Sequence, residues 1–304
     1  MDLSIVIVNY KTKDLTSGCI DSVIRNTKGV SYEIILVDNA SNDGSCEYLK
    51  SRYPGIRIIE NSGNLGVVKA NNQGIKASKG RYILMLNSDT IVLGDCMAKC
   101  LEFAKSRSDA GIIGCKVLDK DGALQYSCYH KPNLLTELVC FTKDILKPSW
   151  DPVNYFKYML YWKHDSVREV ECLSSCFFWI DRQIIKEAEY FDENIFMYYD
   201  DTEYCVRLRE RTGYKVYYYP FAEIIHLKGS RSSDLRYDSM TPVNLFRSAR
   251  YYFEKNYGVF YRDLFVKLCS FAWRAEKLAL SPCRSNEKVE KKYRLLDELI
   301  GRCA

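Results

Sequence analysis

The run Ile83-Leu-Met-Leu-Asn-Ser-Asp-Thr90 ends a short apolar stretch at a lone carboxylate, Asp89. A second acidic element follows in Phe196-Met-Tyr-Tyr-Asp-Asp-Thr-Glu-Tyr-Cys-Val-Arg-Leu-Arg209, where Asp200 and Asp201 open a helical pattern. A carboxylate at a strand end is placed to hold a divalent cation, which in turn grips diphosphate oxygens. A carboxylate pair at a helix start can supply a general base. The two chemistries complement each other in transfer from a nucleotide diphosphate. A departing diphosphate needs a cation as Lewis acid, and an incoming hydroxyl must give up its proton to a group held opposite. One displacement with one base inverts the carbon centre.

Those residues must be positioned by elements legible in the pattern. Leu3 to Tyr10 is β-branched and reads as a buried strand, Lys13 to Thr27 has helical spacing, and Tyr32 to Asp38 is a second strand closed by the loop-forming Asn39-Ala-Ser-Asn-Asp-Gly44. A helix to about Tyr53, a strand Ile56 to Glu60, a helix Leu65 to Ser78 and a strand Arg81 to Leu86 continue the alternation. Strands alternating with such helices indicate βαβ units and a mainly parallel sheet. Ligands in such sheets sit outside the carboxyl ends of the strands. Tyr10, Asp38 and the segment Asn87–Asp89 all fall at those ends, so they should line one edge.

Beyond Gly114 the alternation weakens. Asp119-Lys-Asp-Gly122 reads as a turn, His130 to Asp165 is aromatic-rich without a clean period, and Glu169 to Ile180 is one buried strand or two. Asp201 to Arg211 is a helix with acids in its first turn and Gly213 past its end. Lys215 to Tyr219 and Ala222 to His226 read as short strands, and from Thr241 the chain looks helical.

The 304 residues, 47% hydrophobic and 27% charged, have an ordinary globular composition. The N-terminus has no basic region before its apolar residues, which argues against a secretory signal, and no apolar run approaches the roughly 18 residues that cross a bilayer. The 13 cysteines contain no C-x-x-C and suit a reducing compartment, packed as small apolar groups. Net charge is +5, yet from Leu227 onward there are 16 Lys+Arg against 9 Asp+Glu. The basic character therefore belongs to the tail, where Leu264, Leu268, Phe271, Ala275 and Leu278 share a helical stripe. The tail reads as a helix packed on the rest of the protein or on a second subunit, or as an interfacial helix on a membrane.

Five segments together resemble glycosyltransferase family 2 enzymes of the GT-A fold, especially the rhamnosyltransferase-like branch. They are Ser4–Tyr10, Ile35–Gly44, Asn61–Gly66 with Asn71–Gly74, Leu86–Thr90, and Phe191–Glu193 through Tyr198–Leu208 to His226. The resemblance covers about residues 1 to 230. It implies that Tyr10 stacks on the donor's pyrimidine and Asp38 bonds its ring nitrogen, with Asn64, Asn71, Asn87 and Ser88 also on the donor nucleotide. It implies Asp89 and His226 at an Mg²⁺ or Mn²⁺ ion, Tyr198, Tyr199 and Asp200 on the acceptor, and Asp201 as catalytic base. Two departures stand out. Asn87-Ser88-Asp89 lacks the family motif's first carboxylate, and Lys69 replaces a small residue, facing a phosphate or solvent.

Each residue also has a plainer role: Asp38 and Asp89 as loop or turn caps, Asp200 and Asp201 as first-turn acids, His226 as a buried histidine, and Phe196–Tyr199 as core. The expectation is an α/β GT-A domain over 1–230 (about 1–115 for the nucleotide sugar, about 116–230 for the acceptor) and a helical extension over 231–304. The resemblance implies an inverting, metal-dependent transferase of rhamnose from dTDP-rhamnose, or of another donor sugar such as UDP-galactofuranose or UDP-N-acetylhexosamine. The acceptor would be a glycan on a polyprenyl carrier in bacterial surface polysaccharide synthesis. The expected location is cytoplasmic, with peripheral membrane contact through the basic tail or a homodimer, and without a nucleic-acid partner. A non-catalytic sugar-binding relative is the other outcome. A sugar nucleotidyltransferase or dinucleotide-binding oxidoreductase would need a glycine-rich loop after the first strand, and Asn9-Tyr-Lys-Thr-Lys13 has no glycine.

Overall fold

The computed structural model describes residues 1–146, 152–227, 241–283 and 286–302. Two compact units form: Met1–Lys131, Trp162–Phe196 and Asp200–Ser230 in one, and Pro132–Tyr161, Met197–Tyr199 and Arg231–Ala304 in the other.

The first unit is built on a sheet. Its leading strands β1 (Leu3–Asn9), β2 (Tyr32–Asp38), β3 (Arg57–Glu60) and β4 (Tyr82–Asn87) are joined through helices α1 (Lys13–Asn26), α2 (Ser45–Arg52) and α3 (Val67–Ala77). All four are parallel, in the order β3-β2-β1-β4. Chain order continues with β5 (Thr90–Val92), α4 (Cys96–Ser106), β6 (Ala110–Leu118), β7 (Leu124–Gln125) and β8 (Cys128–Tyr129). After the excursion into the second unit come β9 (Arg168–Val170), β10 (Cys172–Leu173), β11 (Phe177–Asp181), α7 (Arg182–Ala188), α8 (Asp200–Thr212) and β12 (Lys215–His226). The sheet extends from β4 through antiparallel β11 to β6, then β12, then β5.

Both faces are covered, which explains the unbroken apolar runs in the strands. Leu3, Ile5, Ile7, Leu36, Leu84, Leu86, Phe177 and Trp179 point into one large core, and Ile35, Val37 and Ala70 pack on the other face. Gly74 lets α3 lie directly on β1, because a Cβ there would run into the Val6 side chain. The two short strands expected around Pro220 are one strand whose register slips between Tyr219 and Glu223. A proline cannot donate to the ladder, so the strand bulges where it sits.

In the second unit, the segment without a clean period contains helices α5 (Leu134–Leu146) and α6 (Pro152–Lys157), grouped with α9 (Thr241–Tyr257), α10 (Val259–Leu280) and α11 (Glu287–Gly301). The buried seam of α10 is Phe265, Cys269, Trp273 and Glu276. It therefore differs from the stripe expected of the sequence: Trp273 is inside, its indole donating to the Phe141 carbonyl at 3.0 Å, while Phe271 and Leu278 are outside. Aromatic bulk decided the orientation. Phe141, Phe246, Phe265 and Trp273 interlock edge to face, which no aliphatic stripe on this helix could match. No helix among the described residues is long and apolar enough to cross a membrane.

Candidate active site

Parallel register brings the strand ends together. Asn9 pairs with Asp38, and Val8 with Asn87, so Tyr10, Asp38 and Asn87 emerge at one sheet edge although distant in sequence. Tyr10 is 42% exposed there, with the Lys11 ammonium 5.4 Å from its ring centroid. Asp38 is buried, and its carboxylate accepts from Asn9 Nδ2 (2.6 Å), Ser41 Oγ (2.6 Å) and the Ser41 amide (3.0 Å). Asp38 thus caps the following loop, as the plainer reading had it. The Cys46 thiol is a further hydrogen-bonding neighbour of this carboxylate.

The asparagine-rich segment is held by its own amides. Asn64 Oδ1 accepts from Asn39 Nδ2 at 2.8 Å and from the Gly66 amide at 3.0 Å. Gly66 has φ +85°, and a Cβ there would lie 2.6 Å from the Phe196 carbonyl, which accepts from the Val67 amide at 3.0 Å. Only glycine fits that turn against that backbone. Asn72 clamps the same two segments, donating to the Phe191 carbonyl at 2.8 Å and accepting from its amide at 3.1 Å. Asn71 is buried on α3, whereas Lys69 is exposed, facing solvent.

A second register explains the next pairing. The chain turns sharply through Ser88 and Asp89 from β4 into β5, and Thr90 of β5 pairs with His226 at the end of β12. Asp89 and His226 are thereby neighbours: Asp89 Oδ1 lies 3.2 Å from His226 Nε2, with both side chains largely buried. Asn87 Nδ2 is 3.5 Å from the same nitrogen, and Ser88 Oγ is 3.1 Å from Thr12 Oγ1. On its far side the imidazole meets Gln125, whose Oε1 is 3.2 Å from Nδ1. Gln125 and Asp89 thus hold the ring from opposite nitrogens. A carboxylate oxygen and an imidazole nitrogen this close are held by a shared proton or by a cation. The described residues offer no third His, Cys, Asp or Glu to complete a protein-only metal site. A carboxylate and an imidazole nonetheless fit a Mg²⁺ or Mn²⁺ ion that would take its other ligands from substrate and water.

The carboxylate pair opens α8. Asp201 is half-buried and accepts from the Thr202 amide (2.7 Å), Thr202 Oγ1 (3.2 Å) and the Ser175 amide (3.1 Å). Burial raises its pKa above the usual carboxylate value, and the bonds from Ser175, Tyr129 and Thr202 oppose the rise. The helix start alone would have favoured the ionised form, but desolvation outweighs it. Asp200 is buried, and Oδ2 has no hydrogen-bond partner among the described residues. Burial and the adjacent Asp201 charge push its pKa up to about 7. Tyr198 and Tyr199, just before the helix, both have left-handed backbones (φ 64° and 62°). Tyr199 is buried and donates its hydroxyl to Glu137.

Ser175 and Cys176 link the two acidic centres. The Ser175 amide holds Asp201, and the Cys176 carbonyl accepts from the Asn87 amide at 3.1 Å. Burial pushes the Cys176 thiol up to about 12, with Asp89 and Asp201 both adding to the rise. Gln125, Tyr129, Ser175 and Thr202 carry no signal in the sequence. Each acts by contact from a neighbouring strand or turn, and only Thr202, beside Asp201, could have been suspected.

A family model described as glycosyl transferase family 2 matches residues 4–187. The chain belongs to that family. Among family 2 relatives, it is 36% identical over 121 residues to the poly(ribitol-phosphate) beta-glucosyltransferase of Bacillus spizizenii, covering 38% of this chain and 19% of that protein. It is 28% identical over 209 residues to the N-acetylglucosaminyl-diphospho-decaprenol L-rhamnosyltransferase of Mycobacterium tuberculosis, covering 64% of this chain and 66% of that one. The chain thus spans less than two thirds of the length of either. A solved structure, the crystal structure of GalNAc-T7 with UDP, GalNAc and Mn2+, superposes with a TM-score of 0.61 at 17% identity, over 99% of this chain and 57% of that one. That likeness speaks to the fold, which is of GT-A type: α/β with a mostly parallel sheet, and with C-terminal helices present.

Proposed function

We propose that this protein is an inverting glycosyltransferase that moves rhamnose from dTDP-rhamnose to a hydroxyl of a glycan on a polyprenyl diphosphate carrier, in bacterial surface polysaccharide synthesis. The reading is carried by one observation: the Asp89–His226 pair and Asp201 flank the same Ser175-Cys176 backbone. A relative named for rhamnosyl transfer to a diphospho-decaprenol glycan supports the choice of donor and acceptor.

In this reading residues 1–115 take the nucleotide sugar and 116–230 the acceptor, with 231–304 an extension. Tyr10 offers its half-exposed ring to the base, and Asp38 bonds the base nitrogen. Asn64, Asn71, Asn87 and Ser88 shape the donor pocket, while Tyr198, Tyr199 and Asp200 shape the acceptor side. Asp89 and His226 hold the divalent cation, which when bound neutralises the charge of the leaving nucleoside diphosphate. Asp201 removes the acceptor hydroxyl's proton. Its raised pKa makes it a stronger base than a solvated carboxylate, and the amides of Ser175 and Thr202 keep it aimed. The name of the glucosyltransferase relative favours a second donor reading, a nucleotide diphosphate glucose at the same site.

The test uses Asp201→Asn and Asp89→Ala. Asp201→Asn should lower turnover roughly 10²- to 10⁴-fold while donor affinity holds, and Asp89→Ala should abolish metal-dependent donor binding. Unchanged transfer in Asp201→Asn would remove the mechanism.

A further inference from the structure

We propose that the outer face of α10 seats the protein on an anionic lipid surface. Phe260, Lys267, Phe271, Arg274 and Leu278 follow one another at seven, four, three and four residues, so they fall on one narrow stripe of this 22-residue helix. Phe260, Phe271 and Leu278 are 73%, 75% and 76% exposed. These are among the most exposed large apolar side chains in the chain, on a helix whose opposite face is already filled by Phe265, Cys269 and Trp273.

The charges choose the occupant. Lys267 and Arg274 are exposed and meet no carboxylate among the described residues. The helix carries two acids, and neither belongs to the stripe: Glu276 is buried and paired with Lys292, and Asp263 at its margin is held by Arg262 at 2.8 Å. The exposed stripe is therefore apolar and cationic only, within a tail whose basic residues outnumber its acidic ones. An isologous pairing with a second copy would set these cations against each other across a shared apolar seam. A bilayer interface of acidic phospholipid satisfies both parts at once. Apolar anchors enter the headgroup boundary, and the long side chains of Lys267 and Arg274 reach the phosphates. A helix of this length, about 33 Å at 1.5 Å per residue, would lie in the interface plane.

This inference does not depend on the donor or acceptor, and its test contains neither. The full chain is floated with vesicles of phosphatidylcholine alone and with vesicles containing phosphatidylglycerol, at low and at 0.5 M salt. Binding is expected to the anionic vesicles and to weaken in high salt. Lys267→Glu with Arg274→Glu should lower the bound fraction at least tenfold, at about fivefold per removed charge before reversal. Phe271→Ser with Leu278→Ser should lower it comparably, and both variants should keep the wild-type circular dichroism because all four positions are exposed. Absence of binding to anionic vesicles would overturn the proposal, as would binding untouched by both variants. A dimer in light scattering that dissolves in Phe271→Ser with Leu278→Ser would overturn it too, assigning the face to a second copy.

Discussion

At the residue scale the centre of interest is an imidazole held from both ring nitrogens. His226 sees Gln125 on one nitrogen and Asp89 on the other, 3.2 Å away in each case. Partners of this kind fix the ring and raise ligand basicity, and their loss costs metal affinity about 10- to 100-fold. Gln125→Leu should therefore weaken Mn²⁺ binding by that range, measured by electron paramagnetic resonance titration without substrate. Gln125→Glu, which retains the acceptor, should bind at least as tightly as the natural protein. Equal Mn²⁺ affinity in Gln125→Leu and the natural protein would mean that His226 takes no part in holding the ion. His226 was singled out by the family resemblance, since a lone histidine at the end of an apolar strand otherwise reads as a satisfied core residue. Gln125 could not be, because its two-residue strand has no pattern of its own.

At the element scale, the start of α8 shows how local rules are overruled by surroundings. First-turn acids normally profit from the helix dipole. Asp200 instead lies in a buried pocket beside Asp201, and its pKa is pushed up to about 7. The sign of the stability effect follows. A carboxyl that holds its proton more tightly folded than unfolded favours the folded state at low pH. That contribution is complete below the unfolded pKa of about 4 and is lost as pH rises through about 7. Asp200→Asn removes the titration, so its stability relative to the natural protein should grow from pH 5 to pH 8, by up to about 3 kcal/mol, and then level off. Paired urea melts at both pH values would read this, and a difference independent of pH would contradict it. A second element tests buried charge. Glu137 and Lys157 form an ion pair with side chains 2% and 13% exposed, and Glu137 also takes the Tyr199 hydroxyl. Glu137→Ala should cost about 3 to 5 kcal/mol, because Lys157 is left charged and uncompensated, whereas Lys157→Met should cost less than Glu137→Ala. Helix α6 was not legible because six residues are too few to show a period, and α5, whose apolar residues are nearly all aliphatic, was hidden in an aromatic, proline-bearing stretch. The leading strands and helices were legible because each βαβ unit repeats the same burial.

At the scale of the whole molecule, the sheet's register does what sequence spacing cannot: it carries residues near positions 10, 38, 87 and 226 to one edge. The order of strands was not readable, since β11 inserts antiparallel between β4 and β6 from a segment about 90 residues downstream of β4. Its insertion is what brings Ser175 and Cys176, just ahead of β11, beside both acidic centres. In the proposed reading, donor binding depends on the Asp89–His226 pair. A nucleotide sugar that bridges the strand ends and the Asp89–His226 pair binds the folded state alone, so it raises stability by mass action, by about 2.7 kcal/mol at a hundredfold excess over Kd. For a domain of this size that corresponds to a Tm increase of roughly 5 to 10 °C. A thermal-shift series of pyrimidine diphosphate sugars should therefore give one donor with a shift of that size with Mn²⁺ and a much smaller one with chelator. Asp89→Ala should behave in Mn²⁺ as the natural protein does in chelator. The sugar giving the largest shift names the donor, and dTDP-rhamnose should exceed a nucleotide diphosphate glucose. A full shift that survives chelator and Asp89→Ala alike would place the diphosphate away from Asp89 and His226.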